Sequence, residues 1–376
     1  MNTVSLQALA DYRPTAIDAA LRQLLAPLGG IETFVQPGRK VLLKPNLLSG
    51  KSPDKAVTTH PEIVRAVIRL AQAAGGIVSV GDSPGLGRPE QVARKCGILQ
   101  VIEETGARFA PFTESQPVTA DGGTFHQLEI ARDILDADVI INLPKLKTHQ
   151  MMGLTCAVKN LFGAVVGMRK PRLHLQAGAD KEFFALMLLE LAEQVSPALT
   201  IVDAVVGMEG DGPGSGDPVP IGALLAGRDP VAVDTVAGEL VGMSADQVWT
   251  WKVARDSGRW HTRIEELQLA GDALETLRCP AFRPAKSTDA GFGLPAFLRT
   301  RLKRALSARP VIDATACIRC GHCVDHCPPQ AMQLDQRVEI DDRLCIRCFC
   351  CQELCPKGAI DTRQGWLLKL TDRSGH

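Results

Sequence analysis

The chain has 376 residues, more than one hydrophobic core usually serves, and its 45% hydrophobic content is ample for burial, so two domains or one large domain with an appendage are expected. Forty-two basic residues balance 42 acidic ones, and aromatic content is 4% with a single Tyr, which excludes the basic excess and stacking platforms of a general nucleic-acid binder. No apolar run of about 18 residues occurs and the opening stretch has no signal-peptide pattern, so we expect a cytoplasmic protein without an integral membrane segment.

In chain order, "KVLLKPNLL" (residues 40–48) reads as a buried strand with an X-Pro break inside it. "HPEIVRAVIRLAQAAGG" reads as a helix that opens at Pro61, keeps Ile63, Val67 and Leu70 on one face, and stops at Gly75-Gly76. "IVSVGDSPGLG" is the next strand with a glycine-rich exit, and a helix follows over about residues 88–105. "ADVIINLPKLK" and "LTIVDAVVGMEGDGPGSGDP" each contain a further strand, and "DPVAVDTVAGELVGM" is helical. This alternation argues for an α/β domain over residues 1–282 with a doubly wound, mainly parallel sheet.

Ligands of such sheets bind beyond the carboxyl ends of the strands. Lys44 and Asn46 close the first strand, Asp82 and Ser83 the second, Lys145, Lys147 and His149 the third, and Asp203, Glu209 and Asp211 lie along or after the fourth. The stretch "NLPKLKTHQMMGLTCAVKNLFGAV" (residues 142–165) concentrates the cations: Lys145, Lys147 and His149 share one side if the backbone is extended. Lys159 and Asn160 follow in "CAVKNLFGAVVG", expected to be a helix, and Arg169, Lys170, Arg172 and His174 continue the positive charge. A basic rim of this kind attracts a carboxylate or phosphate. It also fits a docking face for an acidic electron-transfer partner, or a merely solvated loop.

On the first reading Lys44, Asn46, Lys145, Lys147 and Asn160 bind substrate, and Lys145, Lys147 and Lys159 bind or polarise its anion. His149 is the candidate proton donor, and Asp82 and Asp203 orient it or do acid–base work. Gly81 to Gly87 form a weak candidate anion nest. Residues 208–218 are either a cation loop or a turn-rich lid. Cys156 is a nucleophile or proton donor if cations depress its pKa, and otherwise an apolar filler.

Twelve cysteines in a cytoplasmic chain point to metal ligands or redox groups, and nine of them fall between Cys317 and Cys355. "CIRCGHCVDHCPPQAM" is followed by "CIRCFCCQELCPKGAI", an internal repeat in which Cys317, Cys320, Cys323 and Cys327 recur 28 residues later as Cys345, Cys348, Cys351 and Cys355. Each copy has the C-x2-C-x2-C-x3-C-P spacing of bacterial ferredoxins, where the fourth cysteine ligates the other cluster. By that rule Cys317, Cys320, Cys323 and Cys355 hold one [4Fe-4S] cluster, and Cys345, Cys348, Cys351 and Cys327 the other. A zinc-binding repeat has no use for the third cysteine at the same step or for the proline. Cys350 is left as a ninth thiol and a bystander.

The stretches "LLKPNLL", "THPEIVRAVI", "GDSPG", "INLPKLKTH", "GLTCAVKNLFG" and "DPVAVD" resemble the domain-of-unknown-function family 362, whose members often carry a ferredoxin module. The resemblance implies an α/β domain joined to electron carriers, and no common reaction. The expected layout is the α/β domain, a linker with a basic amphipathic helix (residues 283–310), a two-cluster ferredoxin domain (311–363) and a tail (364–376). The leading functional expectation is an iron–sulfur reductase passing electrons from an external donor, such as a ferredoxin or flavoprotein, to a small anionic substrate. A C=C or C=O bond conjugated to a carboxylate fits as its target. No flavin motif is evident. The alternatives are a non-catalytic electron-transfer subunit that docks a redox partner, and a metal- or cofactor-handling protein.

Overall fold

Why the β-branched runs become sheet and the runs between them helix is visible in which faces they bury. In β2 (Lys40–Pro45), after β1 (Asn2–Ala8), Val41 and Leu43 face a layer that includes the helices Pro14–Leu25 and Pro61–Ala73, while Leu42 faces the opposite layer with Val158, Leu161 and Phe184. All three strand residues are fully buried, each contributing about 1.5–3 kcal/mol of apolar burial. Both faces of the sheet are therefore covered, as a parallel sheet requires. The structure, a computed structural model, describes residues 2–85, 87–119, 123–167, 169–178, 180–286 and 307–365.

The remaining strands of the first domain are β3 (Ile77–Val80), β4 (Arg108–Phe109), the hairpin β5 (Ser115–Thr119) with β6 (Gln127–Ala131), β7 (Val139–Leu143), β8 (Lys145–His149), β9 (Gly153–Thr155), β10 (Leu199–Glu209), β11 (Asp217–Gly227) and β12 (Leu267–Gly271). The main sheet runs β12-β1-β11-β10-β7-β2-β3-β4, with β8 bonded to β10 and β9. It is mainly parallel, with β11 antiparallel to β1 and β10. The α/β, doubly wound reading holds.

Local expectations are corrected in four places. The run "ADVIINLPKLK" is two strands: Pro144, which has no N–H to donate, separates β7 from β8, and β8 shifts to pair Lys145 with Asp203 and Lys147 with Met208. β2 stops at Pro45, leaving Asn46 to Leu48 in a loop. The helix over 88–105 is broken into Pro89–Lys95 and Ile98–Thr105 by Gly97 at φ +80°. "CAVKNLFGAVVG" forms one α-turn, Ala157–Asn160, and a 3-10 turn, Leu161–Ala164.

The C-terminal module holds β13 (Arg309–Ile312) paired with β16 (Ile360–Arg363), β14 (Met332–Leu334) paired with β15 (Val338–Ile340), and short helices His322–Asp325 and Cys350–Leu354. Ile346, Cys348 and Cys350 pack into the same apolar cluster as Leu161, Phe162 and Phe184 of the α/β domain. The basic amphipathic helix expected over residues 294–307 lies, apart from Ser307, outside the described residues, as does most of the tail. Among the described residues no helix is long and apolar enough to cross a membrane.

Candidate functional site

Beyond the carboxyl end of β2 lies a partly open cavity of about 80 Å³, lined among others by Asn46, Asp82, Lys147, His149, Lys159 and His174. That is room for a few water molecules or one small polar group. Its floor is a buried ion pair: Lys44 Nζ stands 2.7 Å from Asp82 Oδ1 and donates to the Asn160 carbonyl at 2.5 Å. Asp82 Oδ2 accepts from the Leu47 amide at 2.9 Å, which fixes the loop after β2. Burial lowers the Lys44 pKa and Asp82 opposes the shift. Gly163 is dictated by this pair, since a Cβ there would overlap Asp82 Oδ1 and stand 2.6 Å from Lys44 Nζ.

Amides link the floor to the lysine strand. Asn46 donates to Asn160 Oδ1 at 2.9 Å, and Asn160 donates to Asn142 Oδ1 at 2.8 Å. Lys147 donates to Asn46 Oδ1 at 3.0 Å and to the Val57 carbonyl at 2.7 Å, and burial drops its pKa to about 7. The Asp234 carboxylate accepts from the amides of Ala157, at 2.6 Å, and Val158, at 3.1 Å, and so holds the turn that presents Lys159 and Asn160.

Lys159 differs from its neighbours. Its ammonium lies 4.6 Å from the Phe162 ring centroid and 5.9 Å from that of Phe184, and among the described residues it has no hydrogen bond or ion pair. Lys170, by contrast, donates to the Ser83 carbonyl, to Ser83 Oγ at 2.8 Å and to the Pro84 carbonyl at 3.1 Å, and burial lowers it to about 7. His174 stacks on Phe184 at 4.2 Å and is pushed down to about 3 by burial, reinforced by Lys159. It is neutral at neutral pH.

His149 Nδ1 accepts from the amides of Met151 at 3.0 Å and Met152 at 3.2 Å, so in the neutral ring the proton sits on Nε2. Nε2 stands 3.0 Å from Glu353 Oε1, so its proton faces the carboxylate at ion-pair distance. Burial pushes Glu353 up, but His149 and Lys159 outweigh it and hold the carboxyl at about 2.

Several expected site residues lie elsewhere. Lys145 and Asp203 pair at 2.9 Å in a separate buried cluster, where Tyr12 OH accepts from Lys145 at 2.8 Å and donates to Asp203 Oδ1 at 2.9 Å. His60, stacked on Tyr12 at 3.6 Å, donates its amide to Asp203 Oδ2. This cluster lines no part of the cavity, so Lys145 and Asp203, expected beside the other site residues, stand apart from them. Lys44 likewise braces the floor and does not line the cavity. Cys156 is no activated thiol: burial and Asp234 push its pKa well up. The loop over 208–218 is no cation site, because Glu209 pairs with Arg283 at 2.7 Å, Asp217 with Arg283 at 2.6 Å and Asp211 with Lys286 at 3.3 Å. Nor is the lysine row a docking surface, since Lys145, Lys147 and His149 are at most 1% exposed and Lys159 is 9% exposed.

Residues that sequence reasoning missed are Glu353 and Cys350, both lining the cavity from the C-terminal module. The available signal was their place on the short helix between ligand cysteines, on positions a cluster does not use.

The eight repeat cysteines sort into two groups. Cys317, Cys320, Cys323 and Cys355 line one small cavity, with Ile312 and Val338. Cys327, Cys345, Cys348 and Cys351 line another, with Met332 and Phe349. The thiols surround voids; among the described residues no three His, Cys, Asp or Glu side chains converge on a single-ion position. Sulfur donors around an apolar void suit an iron–sulfur cube.

A thylakoid-associated protein of Synechocystis sp. is 38% identical over 303 residues, which cover 81% of this chain and 94% of that protein. The sequence profile described as domain of unknown function (DUF362) matches residues 41–239. The chain belongs to family DUF362. In this DUF362 protein a second profile, the 4Fe-4S dicluster domain, matches residues 309–356, which makes iron–sulfur electron transfer its general chemistry. Two solved structures resemble the DUF362 chain at 14% identity. One is the lactate racemase apoprotein from Thermoanaerobacterium thermosaccharolyticum, with a TM-score of 0.38 over 59% of this chain and 53% of that one. The other is a protein from Thermotoga maritima, with a TM-score of 0.34 over 55% and 53%.

Proposed function

We propose that this cytoplasmic DUF362 protein is a reductase whose α/β cavity holds a small carboxylate- or phosphate-bearing substrate and receives electrons from two [4Fe-4S] clusters. Cys317, Cys320, Cys323 and Cys355 hold one cluster; Cys345, Cys348, Cys351 and Cys327 hold the other. When bound, the clusters supply electrons one at a time. The observation that carries the reading is a shared wall: Cys350, Glu353 and Leu354 line the α/β cavity, while Cys348 and Cys351, from the same stretch, line a cysteine-ringed one.

The chain's own residues then divide the work. Lys159, a buried cation that makes no close ion pair and feels Glu353 only at longer range, binds the anion, and Lys147 and Asn46 extend its contacts. Cationic lining stabilises the negative charge that builds on a C=C or C=O bond conjugated to the carboxylate, a bond that takes up two electrons and two protons. His149 holds a proton at Nε2 on the cavity wall, where burial disfavours the charged ring and Glu353 opposes that shift. An external donor of single electrons completes the circuit. The burial of the lysine row removes the ground for docking a partner there, and the paired acids of residues 208–218 remove the ground for metal handling.

The test is anaerobic purification, mass spectrometry of co-purifying small acids, and titration of the reduced protein with each acid found. Lys159→Met is expected to abolish acid-dependent reoxidation of the clusters while dithionite still reduces them. Reoxidation at the wild-type rate in this variant would overturn the proposal.

A further inference from the structure

The two copies of the cysteine repeat share the sequence Cys-Ile-Arg-Cys, yet their surroundings differ. In the second copy Ile346 packs against the α/β core and Arg347 is only 8% exposed. That face is covered by the domain its electrons serve. In the first copy Ile318 is 56% exposed, and Arg319 and Cys320 are exposed as well. The same motif thus presents one occupied face and one open face.

The open face has a definite chemistry. Ile318, Cys320 and Lys357 line the same small cavity, so an apolar side chain and a cation edge the thiols directly. Arg319 reaches only the Gln336 carbonyl, at 3.4 Å, and neither Arg319 nor Lys357 has a carboxylate partner among the described residues. An apolar centre with an uncompensated cationic rim complements a protein with an acidic rim. A small soluble reductant has no need of the exposed isoleucine.

We propose that the face formed by Ile318, Arg319, Cys320 and Lys357 is the docking site of an acidic one-electron carrier protein, the donor. This rests on the reading that Cys317, Cys320, Cys323 and Cys355 hold a cluster. Each encounter moves one electron: the carrier is oxidised by one, the cluster is reduced by one, and no covalent bond changes. The copy that faces the surface receives; the copy that faces the α/β domain delivers.

The experiment uses the full chain isolated anaerobically with its iron, and two reductants: a reduced plant-type two-iron ferredoxin as the acidic carrier, and dithionite. Stopped-flow bleaching of the iron–sulfur absorbance gives the rates. With ferredoxin the wild-type rate is expected to fall steeply as salt rises. Arg319→Glu combined with Lys357→Glu is expected to slow it about tenfold or more at low salt and to flatten the salt dependence. Ile318→Asp is expected to slow it severalfold, and dithionite reduction to stay unchanged throughout. If the charge reversals lose iron, Arg319→Gln with Lys357→Gln replaces them and is expected to slow ferredoxin in the same direction. A ferredoxin rate that ignores these substitutions, or a wild-type rate that ignores salt, overturns the docking site. Substrate reduction driven by dithionite bypasses this face, so its loss counts against the cavity reading alone.

Discussion

Cys350 and Cys351 are adjacent in the chain and line different cavities, Cys350 the α/β cavity with Lys159 and Cys351 the one ringed by Cys327, Cys345 and Cys348. Their substitutions should therefore separate. Cys351→Ala is expected to lose about half the iron and sulfide, because a cube lacking one of four thiolates is not retained. Cys350→Ala is expected to keep the wild-type iron content and electron paramagnetic resonance signal, and to alter only the effect of added anion on that signal. Iron loss in Cys350→Ala would show that the ligand sets are drawn wrongly.

The lysines separate in the same way. Lys145→Met leaves Asp203 buried with no cation and is expected to cost ~3–5 kcal/mol. Lys159→Met removes a buried cation that makes no close ion pair and feels Glu353 only at longer range; the lost cation–π contact of about 0.5–2 kcal/mol is offset by relief of its desolvation. Its stability is expected to stay within about 1 kcal/mol of wild type, although anion binding is lost. Anaerobic urea titrations followed by the fluorescence of Trp249, Trp251 and Trp260 measure both. Equal destabilisation by the two substitutions would mean that Lys159 serves the fold.

Gly163 carries a third expectation. Because its missing Cβ makes room for the Lys44–Asp82 pair, Gly163→Ala is expected to destabilise by several kcal/mol, in the range of a broken buried pair, ~3–5 kcal/mol. Ala at 164, one position on and already buried, shows that the 3-10 turn itself tolerates a methyl. A urea midpoint unchanged in Gly163→Ala would contradict the packing described.

With Lys147 and Lys170 both near 7, the cavity loses positive charge as pH rises through neutrality. Anion affinity is expected to fall across that range. Stability moves the other way. Unfolded lysines titrate near ~10.4, so between about 7 and 10.4 the unfolded chain binds more protons and these two groups make unfolding costlier with rising pH. The stability they contribute is full above the unfolded value and is lost as pH falls through about 7. Isothermal titration of the anion and urea midpoints, each measured from pH 6 to pH 9 (on the order of three units around these values), should show opposite slopes. Parallel slopes would assign the titration to other groups.

The parallel sheet was legible because β-branched runs and amphipathic helices alternate, and the cysteine pattern was legible because ligand spacing is local. The carboxyl-end rule named Asn46, Asp82, Ser83, Lys147 and His149, and these five line one cavity. What failed was the step from a shared strand face to a shared site. Lys145 and Lys147 are two residues apart on β8, but Tyr12 and Asp203 hold one while Asn46 and Val57 hold the other. Those partners lie 58 to 133 residues from Lys145 and 90 to 101 from Lys147, distances at which periodicity carries no information. Glu353 was hidden for the same reason, being supplied across a domain boundary.

That boundary gives the last expectation. The module's own apolar core is small, consisting of Cys323, Met332, Val338, Cys351 and Ile360, with two of the five being thiols that line the cysteine cavities. So little burial cannot hold the segment without metal, and removing iron should unfold it while the larger α/β core persists. Because Cys350, Glu353 and Leu354 belong to that segment, the α/β cavity should lose a wall and its anion affinity with the iron. Anaerobic oxidation with chelation, followed by circular dichroism and anion titration, checks both parts: most helical signal retained, binding gone, and both restored by iron and sulfide. Undiminished anion affinity in the iron-free protein would show that the cavity is complete without the module and that its nearness to the clusters is incidental.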